Sequence, residues 1–132
     1  MSKPLQKPRT WGFRFSTTDA IVICFVAAAA VVLQRMENPL WWMLIIVAGH
    51  FFLFCNVFRI RRKFEFSWAG LFLINCTVWL WLEKLDWLPV LGTQLPITIC
   101  LVLAELRSNR YHGIFAVQTN SQLDDYLEGK IS

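Results

Sequence analysis

The chain alternates between four long apolar blocks and short polar segments that hold nearly all of its charge. Each block approaches the roughly 20 residues that a membrane-spanning helix requires. The expected helices run over about 18–34, 40–58, 66–82 and 88–105. Thr17, Thr18 and Asp19 supply acceptors for the free N–H groups that open the first helix. Pro39 suits the first turn of the second helix, where its missing N–H costs nothing. The fourth block is the most interrupted, by Pro89, Gly92, Thr93, Gln94, Pro96 and Thr98. A kink is expected there, yet Pro89 to Leu106 still extends about 27 Å as helix, nearly the hydrocarbon thickness.

This pattern predicts an all-α membrane protein, a bundle of four transmembrane helices over 17–106. A basic arm (1–16) precedes it, and a tail (107–132) follows that is expected to be frayed. Within the tail, Ile114, Phe115, Ala116 and Val117 form a short apolar run expected on the membrane surface or on a partner. With both termini in the cytoplasm, the inner segments hold Lys3, Lys7, Arg9, Arg14, Arg59, Arg61, Arg62, Lys63, Arg107, Arg110 and Lys130. The outer side holds Arg35 and Lys84 alone. That asymmetry is the positive-inside bias of a cell-membrane protein. Trp41, Trp42, Trp81 and Trp87 are expected at the outer interface, and Trp11 and Trp68 at the inner one.

Composition agrees: 56% of the 132 residues are hydrophobic and 17% charged, against roughly 25% charged in a soluble domain. Four spans leave no room for a separate catalytic domain. The net charge of +4 is read as attraction to lipid headgroups rather than to nucleic acid, because no recognition motif accompanies it. Arg59, Arg61, Arg62 and Lys63 are the expected headgroup contacts. The four cysteines show no C-x-x-C spacing, which argues against a disulfide or zinc framework. Signatures of soluble enzymes, such as G-x-S-x-G, H-E-x-x-H or a phosphate-binding loop, are also absent.

Polar residues inside apolar blocks carry the most information, since each must find a partner or a task. His50 and Asn75 fall at similar depth in the second and third helices, close enough in expectation to hydrogen-bond. The pair reads first as interhelical adhesion. The other reading is a cofactor ligand, a haem iron or pigment metal held by the His50 imidazole. His112 falls outside the bundle, so two histidine ligands from this chain are excluded. Asn56, near the inner rim, is expected to cap a helix or meet a phosphate. No carboxylate lies deep in any block, because Asp19, Glu83 and Glu105 sit at rims, which argues against a proton pump. The expectation is therefore a small non-catalytic accessory or interaction subunit of a larger membrane complex, whose partners are lipids and other membrane subunits. The alternatives are a haem- or pigment-binding redox subunit using His50, and a small oligomeric transporter built around the Pro96 helix.

Overall fold

The structure, a computed structural model, describes residues 9–130. Lys3, Pro4, Lys7 and Pro8 of the predicted basic arm lie outside them. The described residues are all-helical, without a strand: α1 (Thr17–Arg35), α2 (Trp41–Phe52), α3 (Arg62–Trp81), α4 (Trp87–Leu106), α5 (Ala116–Thr119) and α6 (Leu123–Leu127). Between α2 and α3 the helix continues as one wide π turn, Leu53–Val57. Two helices, α1 and α4, are long and apolar enough to cross a membrane.

The cap of α1 sits one residue earlier than the sequence suggests. Ser16 Oγ accepts from Asp19 N at 3.3 Å, and Asp19 Oδ2 accepts from Ser16 N and Oγ, each at 2.7 Å. Two helix-opening donors are thereby satisfied reciprocally. At the other end, Glu37 takes a left-handed φ of 55° while Glu37 N and Asn38 N donate to Gln34 O and Leu33 O. Glu83, at φ 56°, closes α3 in the same way onto Leu80 O and Trp79 O. These closures recover orphan carbonyls with a non-glycine residue in the left-handed region.

The closest helix pairs are α1 with α2 and α3 with α4. Large aromatic side chains bridge the two pairs. Trp42, Phe54, Trp68, Phe72 and Val90 are buried together, and the Trp68 and Phe72 rings stack at 5.0 Å. Trp42 and Trp68, expected at the two interfaces, are both packed into this core. Their large rings join α2 to α3 in this core.

The chain beyond α4 also differs from expectation. Residues 107–130 are folded as a cap rather than frayed: Tyr111, Ala116 and Leu123 form a second buried cluster against Leu106 and Leu127. Asn120 Nδ2 donates to Asn109 O (2.8 Å) and Tyr111 O (2.9 Å), and Tyr111 Oη donates to Ile114 O at 2.7 Å. Burial, followed by the nearby Glu105 charge, pushes the Tyr111 phenol up to about 12. In the apolar run 114–117 only Ala116 is fully buried, while Phe115 and Val117 point outward. Gly113 is tightly placed, since a Cβ there would collide with the Phe58 carbonyl and the Tyr111 hydroxyl.

Candidate functional site

Three groups of polar residues occupy the bundle, and only part of their pairing follows the sequence pattern. The first surrounds His50. Its ring stacks on Trp68 at 3.6 Å and 14° and leans on Phe54 at 4.2 Å. Nε2 is buried without a hydrogen-bond partner. The expected bond to Asn75 is not formed, because Asn75 faces α4. An imidazole enclosed by two aromatic faces works here as a flat packing element. Its orphaned nitrogen carries a desolvation cost of about 1–3 kcal/mol.

That geometry makes a signed prediction. His50→Phe keeps the aromatic contact and removes the orphaned nitrogen, so it should stabilise the protein by about 1 kcal/mol. Thermal unfolding in detergent micelles checks this. Destabilisation, or loss of a visible absorption band on His50→Phe, would show instead that the nitrogen holds a ligand. Among the described residues, no group of three or more His, Cys, Asp or Glu side chains could hold a metal ion.

The second group is a polar seam between α3 and α4. Asn75 Nδ2 donates to Val90 O (3.0 Å) and Gln94 Oε1 (3.1 Å), and Asn75 Oδ1 accepts from Thr93 Oγ1 at 2.8 Å. Trp68 Nε1 donates to Thr98 Oγ1 (2.9 Å), whose own proton goes to Gln94 O (3.1 Å). Trp79 Nε1 donates to Thr93 Oγ1 at 3.2 Å. Thr93, Gln94 and Thr98 surround Pro96 in sequence, yet all three are engaged with α3. The seam gives α3 and α4 a fixed register and uses the polar groups that the sequence offered for a substrate path. α4 continues as helix through Pro96.

The third group ties the arm, the π turn and the cap together. A π turn shifts the hydrogen-bond ladder by one residue, leaving carbonyls without their usual helical partners. Asn56 O accepts from Arg14 N at 2.9 Å, and Val57 O accepts from Ile114 N at 3.1 Å. Arg59, at φ 49°, turns the chain, and its Nη1 donates to Thr10 O at 2.7 Å. Burial, and then the Arg14 charge, lower the Arg59 pKa from its ordinary value. Arg9 Nη1 donates to Tyr126 O at 3.0 Å and its guanidinium lies over the Tyr126 ring. His112 stacks on the same ring at 4.9 Å, with Nδ1 2.9 Å from Arg110 O. Burial holds the His112 imidazole below its usual range, against the pull of that backbone contact.

The basic cluster divides accordingly. Arg61 Nε lies 3.0 Å from both oxygens of Glu105, which is 1% exposed. Arg59 is held by the arm. Arg62 and Lys63 are exposed, and Lys63 lies over the Phe64 ring. Asn56 is buried at the π turn and lines the space between α1 and α2. The Arg61–Glu105 pair escapes a reading based on rims alone, although both residues fall at the same end of antiparallel helices. Cys55 Sγ donates to Glu65 Oε1 at 2.8 Å, a contact that depends on the π turn and has no signature in sequence.

Comparison of the chain with protein-family models, with curated proteins and with solved structures finds no match.

Proposed function

We propose that this chain spans the cell membrane four times with both termini in the cytoplasm, and that it serves as a small non-catalytic accessory or interaction subunit of a larger membrane complex. The observation that carries the proposal is the outward face of α1. Only 6% of its most apolar stretch is buried within the protein, and Ile21, Phe25 and Val32, which lie off the groove toward α2, are each more than half exposed. A helix of this composition in the core of a soluble monomer would be buried. Hydrocarbon, or the apolar face of another subunit, matches it.

The other features support the same reading. The polar groups of α3 and α4 satisfy one another, as an environment without water requires. α1 and α3 each close in a tight left-handed turn, at Glu37 and Glu83, that suits a compact bundle. Arg62 and Lys63 remain exposed at the end where the charge excess lies, in reach of anionic headgroups. Cysteine substitution at Arg62 and Asp86 in a cysteine-free background tests the topology. The two positions should react with an impermeant thiol reagent from opposite sides of the membrane, and reaction from one side overturns the four-span arrangement. Gentle purification from the native membrane tests the subunit role. Co-purifying membrane proteins are expected, and a particle holding this chain alone would overturn it.

A further inference from the structure

Residues 9–15 form no helix, and two separate sets of contacts hold them to the rest of the protein. One set fixes 13–15 to the bundle: Arg14 N–H donates to Asn56 O at 2.9 Å, and the Phe13 and Phe15 rings meet Phe52 edge-on. The other set fixes 9–12. Arg9 Nη1 donates to Tyr126 O at 3.0 Å, Arg59 Nη1 donates to Thr10 O at 2.7 Å, and Gly12 N–H donates to His112 O at 2.8 Å. Gly12 stands where the two sets join, at φ 90° and with open space around it. The chain can turn there at little steric cost.

His112 is the one imidazole among these contacts. Its half-buried ring stacks on Tyr126 at 4.9 Å and 21°, and the Arg9 guanidinium lies 4.8 Å from the centre of the same ring. Nδ1 is 2.9 Å from Arg110 O, which fits a neutral imidazole donating from Nδ1. A second proton would then go to Nε2. The charged neighbours disfavour it. Arg9 already occupies the Tyr126 ring, Arg59 holds the arm two residues before Gly12, and exposed Arg110 lies in the same loop. The carboxylates of the adjoining helices are engaged elsewhere: Glu105 of α4 with Arg61, and Asp125 and Glu128 of α6 with Lys130, while Asp124 is exposed. Burial, and after it the Arg59 and Arg9 charges, favour the neutral ring against the Arg110 carbonyl and Glu105. A π face stabilises a cation set on it, but a protonated His112 would have to share Tyr126 with Arg9.

We propose that residues 9–12 are a pH-sensitive clasp on the cap: protonation of His112 displaces Arg9 from Tyr126 and frees 9–12 about Gly12, while 13–15 stay bound. The sign follows from which state takes the proton more readily. The clasped ring resists protonation and the released ring does not, so clasping is favoured in full above about pH 6.5, the ordinary imidazole pKa. That preference is lost as the pH falls below this value. Acidification on the side of the cap thus releases a segment carrying Arg9 and the exposed Trp11. The inference uses contacts of the arm and cap alone and does not depend on how many helices span the membrane.

Amide hydrogen exchange of the full-length protein in detergent micelles, read residue by residue by NMR and corrected for the intrinsic pH dependence of exchange, tests the clasp. Between about pH 7.5 and 5.5, on either side of the ordinary imidazole pKa, protection of the Gly12 amide should fall by about threefold, the scale of one like-charge contact screened by water. Protection of the Arg14 amide should stay constant. His112→Phe keeps an aromatic ring on Tyr126 and cannot take the proton, so its Gly12 protection should be the same at both pH values. Arg9→Gln removes the competing cation and should shrink the pH response, which gives a second variant should His112→Phe fold poorly by circular dichroism. Constant Gly12 protection in the wild-type chain, an equal acid-induced loss in a folded His112→Phe, or equal losses at Gly12 and Arg14 would each overturn the proposal.

Discussion

Arg61→Ala is expected to destabilise the protein by about 3 kcal/mol, the lower end of the range for removing one partner of a buried ion pair. Glu105 is the reason. It is 1% exposed, and both its oxygens lie 3.0 Å from Arg61 Nε. Removing the guanidinium leaves an enclosed carboxylate at the C-terminal end of α4, where the helix dipole already disfavours negative charge. The side chain of Arg61 is 34% exposed, so water recovers part of the loss, which places the effect at the lower end. Glu105→Gln should cost less, about 1 kcal/mol, since the amide oxygen still accepts from Arg61. Combining Arg61→Ala with Glu105→Leu should recover most of the lost stability, because no orphaned charge remains. Unfolding in detergent micelles separates these cases. If Arg61 served lipid headgroups instead, Glu105→Gln would be silent and the Arg61→Ala effect would follow the anionic lipid content.

Asn75→Leu is expected to cost about 2 kcal/mol, the upper part of the range for interhelical polar contacts in membranes. Both amide functions of Asn75 are used, toward Val90 O, Gln94 Oε1 and Thr93 Oγ1. The substitution isolates Gln94, which is 1% exposed and is otherwise held through its side chain by a long 3.5 Å contact to Trp68 O. Thr93 suffers less, since its hydroxyl also reaches Pro89 O at 2.8 Å. The cost should thus come mainly from the stranded Gln94 amide. In a double-mutant cycle, Asn75→Leu and Gln94→Leu together should cost less than their sum by at least about 0.5 kcal/mol. Additive losses would mean that the two amides act independently, and the seam would not be a unit.

The partners of Asn75 show how far sequence reasoning reaches. Its depth in the apolar block marks it as a residue needing a hydrogen bond. Its direction depends on the rotation of α3, which spacing along one helix does not reveal. Asn75 turns toward α4, where the Val90 carbonyl and the Gln94 and Thr93 side chains together compete better for its amide than a single imidazole. His50, without that partner, takes the faces of Trp68 and Phe54. Glu105 was legible as a rim residue, and the Arg61 contact follows once α3 and α4 are known to run antiparallel.

Sequence by itself determined the all-helical class, the number of long apolar blocks and the approximate bounds of α1 and α4. Those features depend on unbroken apolar composition and on caps such as Asp19 and Asp86, which act within a turn of the chain. The left-handed closures at Glu37, Arg59 and Glu83 lack the glycine that normally announces them, so their geometry became visible only in the structure. The tertiary structure alone decided that α2 ends in a π turn, that Trp42 and Trp68 face inward, and that residues beyond Arg107 fold as a cap. In each case the deciding contact joins residues far apart in sequence. The carbonyls of Asn56 and Val57 bind Arg14 and Ile114, and Tyr111 is buried by Leu106, Ala116, Leu123 and Leu127. Local composition sets which segments become helices, whereas such long-range bonds select which face of each helix is buried and which polar groups find one another.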